Sequence, residues 1–196
     1  MRRDLTLLFF LLPASGFAAD GPAFDCKKAE GEVPQLICKN PELAALDRNL
    51  DEVYRTALSK AKKSKDELRA EQRGWVTARD ECGKEPSTLE TCVRRNYQQR
   101  TGELQARYEL VPAKGPYTFG CGADPDDVVI VKYFHTEPAS ARLERGDRTV
   151  VTWLEPAPRG AKFVGPDAMF WNKGTAAQIE WFGAKLSCEV RPTVAK

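Results

Sequence analysis

Six cysteines constrain this chain more than any other feature: Cys26, Cys38, Cys82, Cys92, Cys121 and Cys188. Whether they pair or hold a metal depends on the compartment, and the opening "MRRDLTLLFFLLPASGFAAD" speaks to that. Arg2 and Arg3 make a basic start, and Leu5 to Leu12 form a short apolar core. Gly16 and Ala18 then supply small residues of the kind a signal peptidase prefers. Residues 1–18 therefore read as a signal peptide. The apolar run is shorter than the roughly 20 residues of a membrane span. No cysteine follows it at once, so no stable membrane anchor is expected. The expected location is the periplasm or outside the cell. In such an oxidising compartment an even set of cysteines forms disulfides. Zinc competes, but there is no Cys-x-x-Cys pair and His135 is the single histidine. Neither a metal nor a cofactor is expected. If the bonds respect the boundary drawn below, Cys121 pairs with Cys188 and the other four pair among themselves, in an order the spacing leaves open.

Beyond the leader the chain changes period once. Over residues 40–108 the period is helical. Asn40 is placed to cap a helix with Pro41 at its first position. Leu43, Leu46, Leu50, Val53, Ala57, Leu58 and Ala61 then form one apolar stripe. Ser64 with Glu67, and Ser87 with Glu90, have capping-box spacing and open two further helices. Residues 24–108 thus predict a three-helix unit whose thin core is reinforced by disulfides. "VPAKGP", within a linker at 109–116, breaks the pattern. From 117 to 190 short strands alternate with turn signals: "YTFGC", "VVIVKYF", "ARLER", "TVVTWLE", "AKFV", "AMFWN", "AQIEWF" and "KLSCEV". Eight short strands on hairpin-length loops predict an antiparallel barrel or sandwich. The chain is α+β, in two parts. Phe163, Phe170, Trp171 and Trp181 read as core of the second part, and Tyr54, Trp75 and Tyr97 as core of the first. Tyr117 and Phe119 are expected to pack near the Cys121–Cys188 bond.

Charge and motifs narrow the function. Residues 24–108 carry 17 basic and 15 acidic side chains, and residues 109–196 carry 11 of each. Nothing there is the basic footprint of a nucleic-acid binder. His135 stands at a strand end with no nucleophile in a recognisable setting, and "GCGAD" lacks the strand-to-helix context of a phosphate loop. A binding protein is expected, not an enzyme.

The second half resembles the MliC/PliC family of c-type lysozyme inhibitors. The resemblance rests on "YTFGC", "VVIVKYF", "RGAKF", "MFWNKGTAAQIEW" and "LSCEV". It implies a small eight-stranded barrel. It also implies that Lys173 and the loop at Gly160 enter the lysozyme cleft and meet its two catalytic carboxylates. Gly174 would shape the turn behind Lys173, and Lys162 would stand beside the loop. Where the family carries a serine, this chain has Arg159. A guanidinium there can bond a carboxylate through two prongs, or its length can clash and redirect the barrel to another target. The first half resembles the helical domain named after the lysozyme inhibitor LprI. There the matching stretches are "FDCKKA", "ICKNPELAALDRNLDEVY", "QRGWVTARDEC" and "NYQQR". The partner implied by both halves is c-type lysozyme. The competing expectation is an envelope module that binds another periplasmic protein or a cell-wall fragment. Whether the chain acts as a monomer or a dimer stays open at this level.

Overall fold

The computed structural model describes residues 21–192. The signal-peptide reading of residues 1–18 lies outside the described residues.

The helical half contains α1 (Glu32–Lys39), α2 (Pro41–Lys60), α3 (Lys65–Asp80) and α4 (Leu89–Arg107). The three expected helices are α2, α3 and α4, and the short α1 is added to them. Asn40 caps α2 as its sequence requires. Its Oδ1 accepts from the backbone N–H groups of Glu42 and Leu43 at 3.0 and 3.2 Å. The other two expected caps are not made. Ser64 precedes α3 but donates its hydroxyl to the Ala61 carbonyl, and Ser87 donates to Glu85, two residues before α4 begins. Short 3-10 turns at Lys62–Ser64 and Pro86–Thr88 lead into these helices instead and absorb the capping groups. Val33, Ile37, Leu43, Leu50, Ala57, Leu68, Val93, Tyr97 and Leu104 meet in one core. Cys26–Cys38 fastens the N-terminal arm to α1, and Cys82–Cys92 fastens the end of α3 to the start of α4. Each bond closes a short loop and so restrains the unfolded chain.

The second half is a closed antiparallel barrel, neighbour to neighbour in chain order. Its strands are β1 (Ala113–Gly120), β2 (Val128–Phe134), β3 (Ser140–Arg145), β4 (Arg148–Glu155), β5 (Ala161–Val164), β6 (Ala168–Lys173), β7 (Ala176–Trp181) and β8 (Ala184–Val190). β1 begins inside the stretch expected to be linker. Alternate residues fill the interior, among them Phe119, Val129, Val131, Leu143, Phe163, Phe170, Ile179 and Trp181. Cys121–Cys188 joins β8 to the residue after β1. Because successive strands run in opposite directions, the β2–β3 loop, the β4–β5 loop and the β6–β7 turn all leave the same end.

The halves are docked. Ala106, Phe134 and Val151 form a small buried cluster with Val111. At its edge Arg142, 8% exposed, reaches from β3 to the C-terminal turn of α4. It donates to the carbonyls of Ala106 and Arg107 at 3.0 and 3.2 Å and pairs with Glu109 at 2.7 Å and Glu144 at 2.6 Å. A cation is favoured there by the C-terminal carbonyls and the helix dipole. Lys132 also holds Glu109, at 2.7 Å. One turn back along α4, a Cβ at Gly102 would lie 3.3 Å from Thr136, so the helix backbone seats directly on the β2–β3 loop.

Arg142→Met should lower stability in urea by about 3 kcal/mol, since it removes two hydrogen bonds to carbonyls and the cation that Glu109 and Glu144 share. Bonds from Lys132 and Arg142 hold the Glu109 carboxyl below the usual carboxylate range. A lowered value means that stability from ionised Glu109 is complete above its unfolded pKa of about 4.3. It is lost as pH falls through the folded value. Acid titration of tryptophan fluorescence should show this component in the native protein and lack it in Glu109→Gln.

Candidate functional site

The β6–β7 hairpin has a two-residue turn. Lys173 pairs with Ala176, and Gly174 between them has φ +90°, a conformation that favours glycine. Lys173 closes β6 on its outward face, as strand alternation places it. Its ammonium does not point freely into solvent. Nζ donates to Gln178 Oε1 at 2.9 Å and lies 3.6 Å from the centre of the Trp171 ring. Trp171 was expected in the core; it stands on the outside, because only one of the adjacent aromatics Phe170 and Trp171 can face inward on a strand. Phe170, Phe163 and Trp181 do fill the interior.

Trp171 connects the two loops of this end. It is paired with Lys162 on β5 and Gln178 on β7, and Lys162 Nζ lies 5.9 Å from its ring. Its indole Nε1 donates to the Arg159 carbonyl at 2.8 Å, fixing the β4–β5 loop. Gly160 follows with φ +68°, and a Cβ there would sit 2.1 Å from the Asn172 carbonyl oxygen. Only glycine fits. Arg159, Gly160, Lys162, Lys173 and Gly174 are thus brought together. The Arg159 side chain is exposed, and none of the three cations is in an ion pair among the described residues. Sequence reasoning missed Trp171 and Gln178 as the groups that hold Lys173. The signal was present in the period-2 pattern, which puts positions 162, 171, 173 and 178 on one outer face.

A groove of about 480 Å³ lies in the helical half, between the N-terminal arm, α2 and α3. Trp75 and Tyr54, expected in the core, are half-buried walls of it, whereas Tyr97 is fully buried. At its base Arg79 donates to Tyr97 Oη at 2.8 Å, and Tyr97 donates to Asp47 at 2.8 Å. Burial pushes the Tyr97 phenol far above its ordinary value, so it stays a proton donor. The network is satisfied within itself. No group of three or more His, Cys, Asp or Glu is arranged to hold a metal among the described residues.

Arg159, Lys162 and Lys173 thus stand together at one end of the barrel, on loops tied to each other through Trp171. Comparison with known proteins finds one family model similar to each half. The family described as "Lysozyme inhibitor LprI" matches residues 26–109, and "Membrane-bound lysozyme-inhibitor of c-type lysozyme" matches residues 119–187. Curated relatives include proteins named "Lipoprotein LprI" from Mycobacterium tuberculosis and Mycobacterium bovis. Each is 27% identical over 169 residues, covering 86% of this chain and 84% of the relative. Among the described residues no helix is long and apolar enough to cross a membrane.

Gly160→Ala should displace the β4–β5 loop by breaking its approach to Asn172 and straining its backbone. The expected cost is about 1–3 kcal/mol in thermal unfolding, with the Trp171 indole N–H resonance shifted in NMR spectra.

Proposed function

We propose that this chain is an exported inhibitor of c-type lysozyme, with a helical domain over residues 24–108 joined through 109–116 to a barrel domain over 117–190. The barrel inserts the loop bearing Arg159 and the turn bearing Lys173 into the active-site cleft. The observation that carries this reading is the pair of loops laced by Trp171, which sets two unpaired cations on one rigid rim. Loops whose backbone is already held lose little freedom on binding.

Lysozyme needs one carboxyl protonated as acid and a second ionised. An ammonium between them pairs with the ionised group, favours deprotonation of the acid and blocks the sugar. Lys173 must leave Trp171 and Gln178 to do this. An exposed cation–π contact is worth about 0.5–1 kcal/mol, whereas breaking a desolvated interfacial charge pair costs about 2–5 kcal/mol. The hydrogen bond to Gln178 is given up as well, and the carboxylates of the cleft replace it with charged acceptors, whose bonds are the stronger kind. Arg159 supplies a forked donor where the resembling family has a hydroxyl. The relatives' description as lipoproteins supports a place in the cell envelope.

Lys173→Ala should reduce inhibition in a lysozyme lysis assay by tens- to thousands-fold while thermal unfolding stays unchanged. Native potency in that variant would reject the proposed contact. Arg159→Ser should weaken inhibition by about ten-fold; a gain would show that the guanidinium obstructs the cleft. The helical groove favours a second reading, an envelope interaction module, and retention of a different envelope protein with no lysozyme bound would support it.

A further inference from the structure

The cations are only part of the barrel end they stand on. Among the described residues four large apolar side chains are left exposed, and two of them, Tyr117 (42%) and Leu154 (44%), belong to this end. Both occupy inward-facing strand positions. Leu154 is paired with buried Phe163 and lies at the base of the β4–β5 loop that carries Arg159. Tyr117 is paired with buried Val131 and lies two positions before Phe119 on β1. β8 accompanies β1 only at Phe119 and Gly120, so no strand covers Tyr117 on that side.

Between these two residues runs a row of aromatic rings that reaches Phe163, the strand partner of Leu154. Tyr117 rests against Tyr133, with ring centres 5.7 Å apart, and Tyr133 packs on Phe163 at 5.6 Å. Tyr133 Oη accepts from Asn172 Nδ2 at 3.1 Å, which ties the row to the residue immediately before Lys173. Leu154 is fixed through its backbone N–H, which donates to the Ala139 carbonyl at 2.8 Å. The opposite end is different. There Phe182 is also exposed, but the Arg148 guanidinium covers its ring at 4.5 Å.

We infer that this open end is a contact surface in its own right, seated by Tyr117 and Leu154 against the protein that receives Lys173 and Arg159. The inference rests on the inhibitor reading and extends it from two polar loops to the whole barrel mouth. Exposed apolar groups beside three cations fit a partner that places an apolar ledge next to a carboxylate-lined cleft. A free sugar or a small anion would leave these groups wet. Exposed apolar area that is held rigid is characteristic of protein-binding patches, and aromatic anchors dominate such contacts. Such apolar groups also exclude water from around the ammonium–carboxylate pair, which strengthens that pair.

The test uses the full chain in a c-type lysozyme inhibition assay. Leu154→Asp should lose potency about ten-fold or more, because it removes an apolar contact and sets a carboxylate against the partner's own. Tyr117→Ala should lose a comparable factor, and Tyr117→Phe should retain native potency because it keeps the ring. Thermal unfolding of each variant separates lost contact from lost fold. If Leu154→Asp is folded and fully potent while Lys173→Ala is impaired, the apolar surface is not an interface and the inhibitor reading stands. If Lys173→Ala is itself fully potent, the underlying reading fails.

Discussion

Closure of the eight-stranded barrel is the constraint on which the rest depends. A closed antiparallel sheet has no edge strand, and alternate residues must divide between an interior and an outer wall. That division sends Phe163 and Phe170 inward and leaves Lys162, Trp171, Lys173 and Gln178 on one outer face. Closure also fixes which loops are neighbours, since the β4–β5 loop and the β6–β7 turn must emerge together. Trp171 uses this neighbourhood twice, through its N–H to Arg159 and its ring face to Lys173. The disulfide after β1 secures the seam where β1 and β8 share only two paired positions.

The helical half does not hang from this barrel on a free tether. Arg142 donates to two carbonyls at the end of α4, and Glu109 gathers Arg142 and Lys132 at the junction. Gly102 lets the helix approach the β2–β3 loop, which leaves the barrel at the same end as the Arg159 and Lys173 loops. The two halves, each matching a lysozyme-inhibitor family, are therefore held in one arrangement. Local order follows from the same economy in both: thin cores, with three disulfides across short or closing spans.

Much of this was legible in the residues. The strand segments were readable because hydrophobic alternation survives in nearly all of them, and the α2 stripe because Leu43, Leu50 and Ala57 recur every seven residues on one buried face. Capping was less legible. Asn40 caps as written, but Ser64 and Ser87 give their hydroxyls to nearby groups, because a 3-10 turn offered a local partner first. Trp171 was misplaced because burial was inferred from its hydrophobicity, whereas its neighbour Phe170 had already taken the inward position. Tyr117 was expected near a disulfide and instead lies against Tyr133 with its outer side exposed, since β8 pairs with β1 only at Phe119 and Gly120.

The sequence by itself determined the two periods, the even cysteine set and the presence of a lysine and an arginine on glycine-bearing turns. These are local properties, set by side-chain pattern and backbone freedom. Only the tertiary structure decided the pairing of the first four cysteines, the docking through Arg142 and the meeting of Arg159 with Lys173 across Trp171. Those depend on distances between residues far apart in the chain, and such distances exist only once the barrel is closed and the helices are packed.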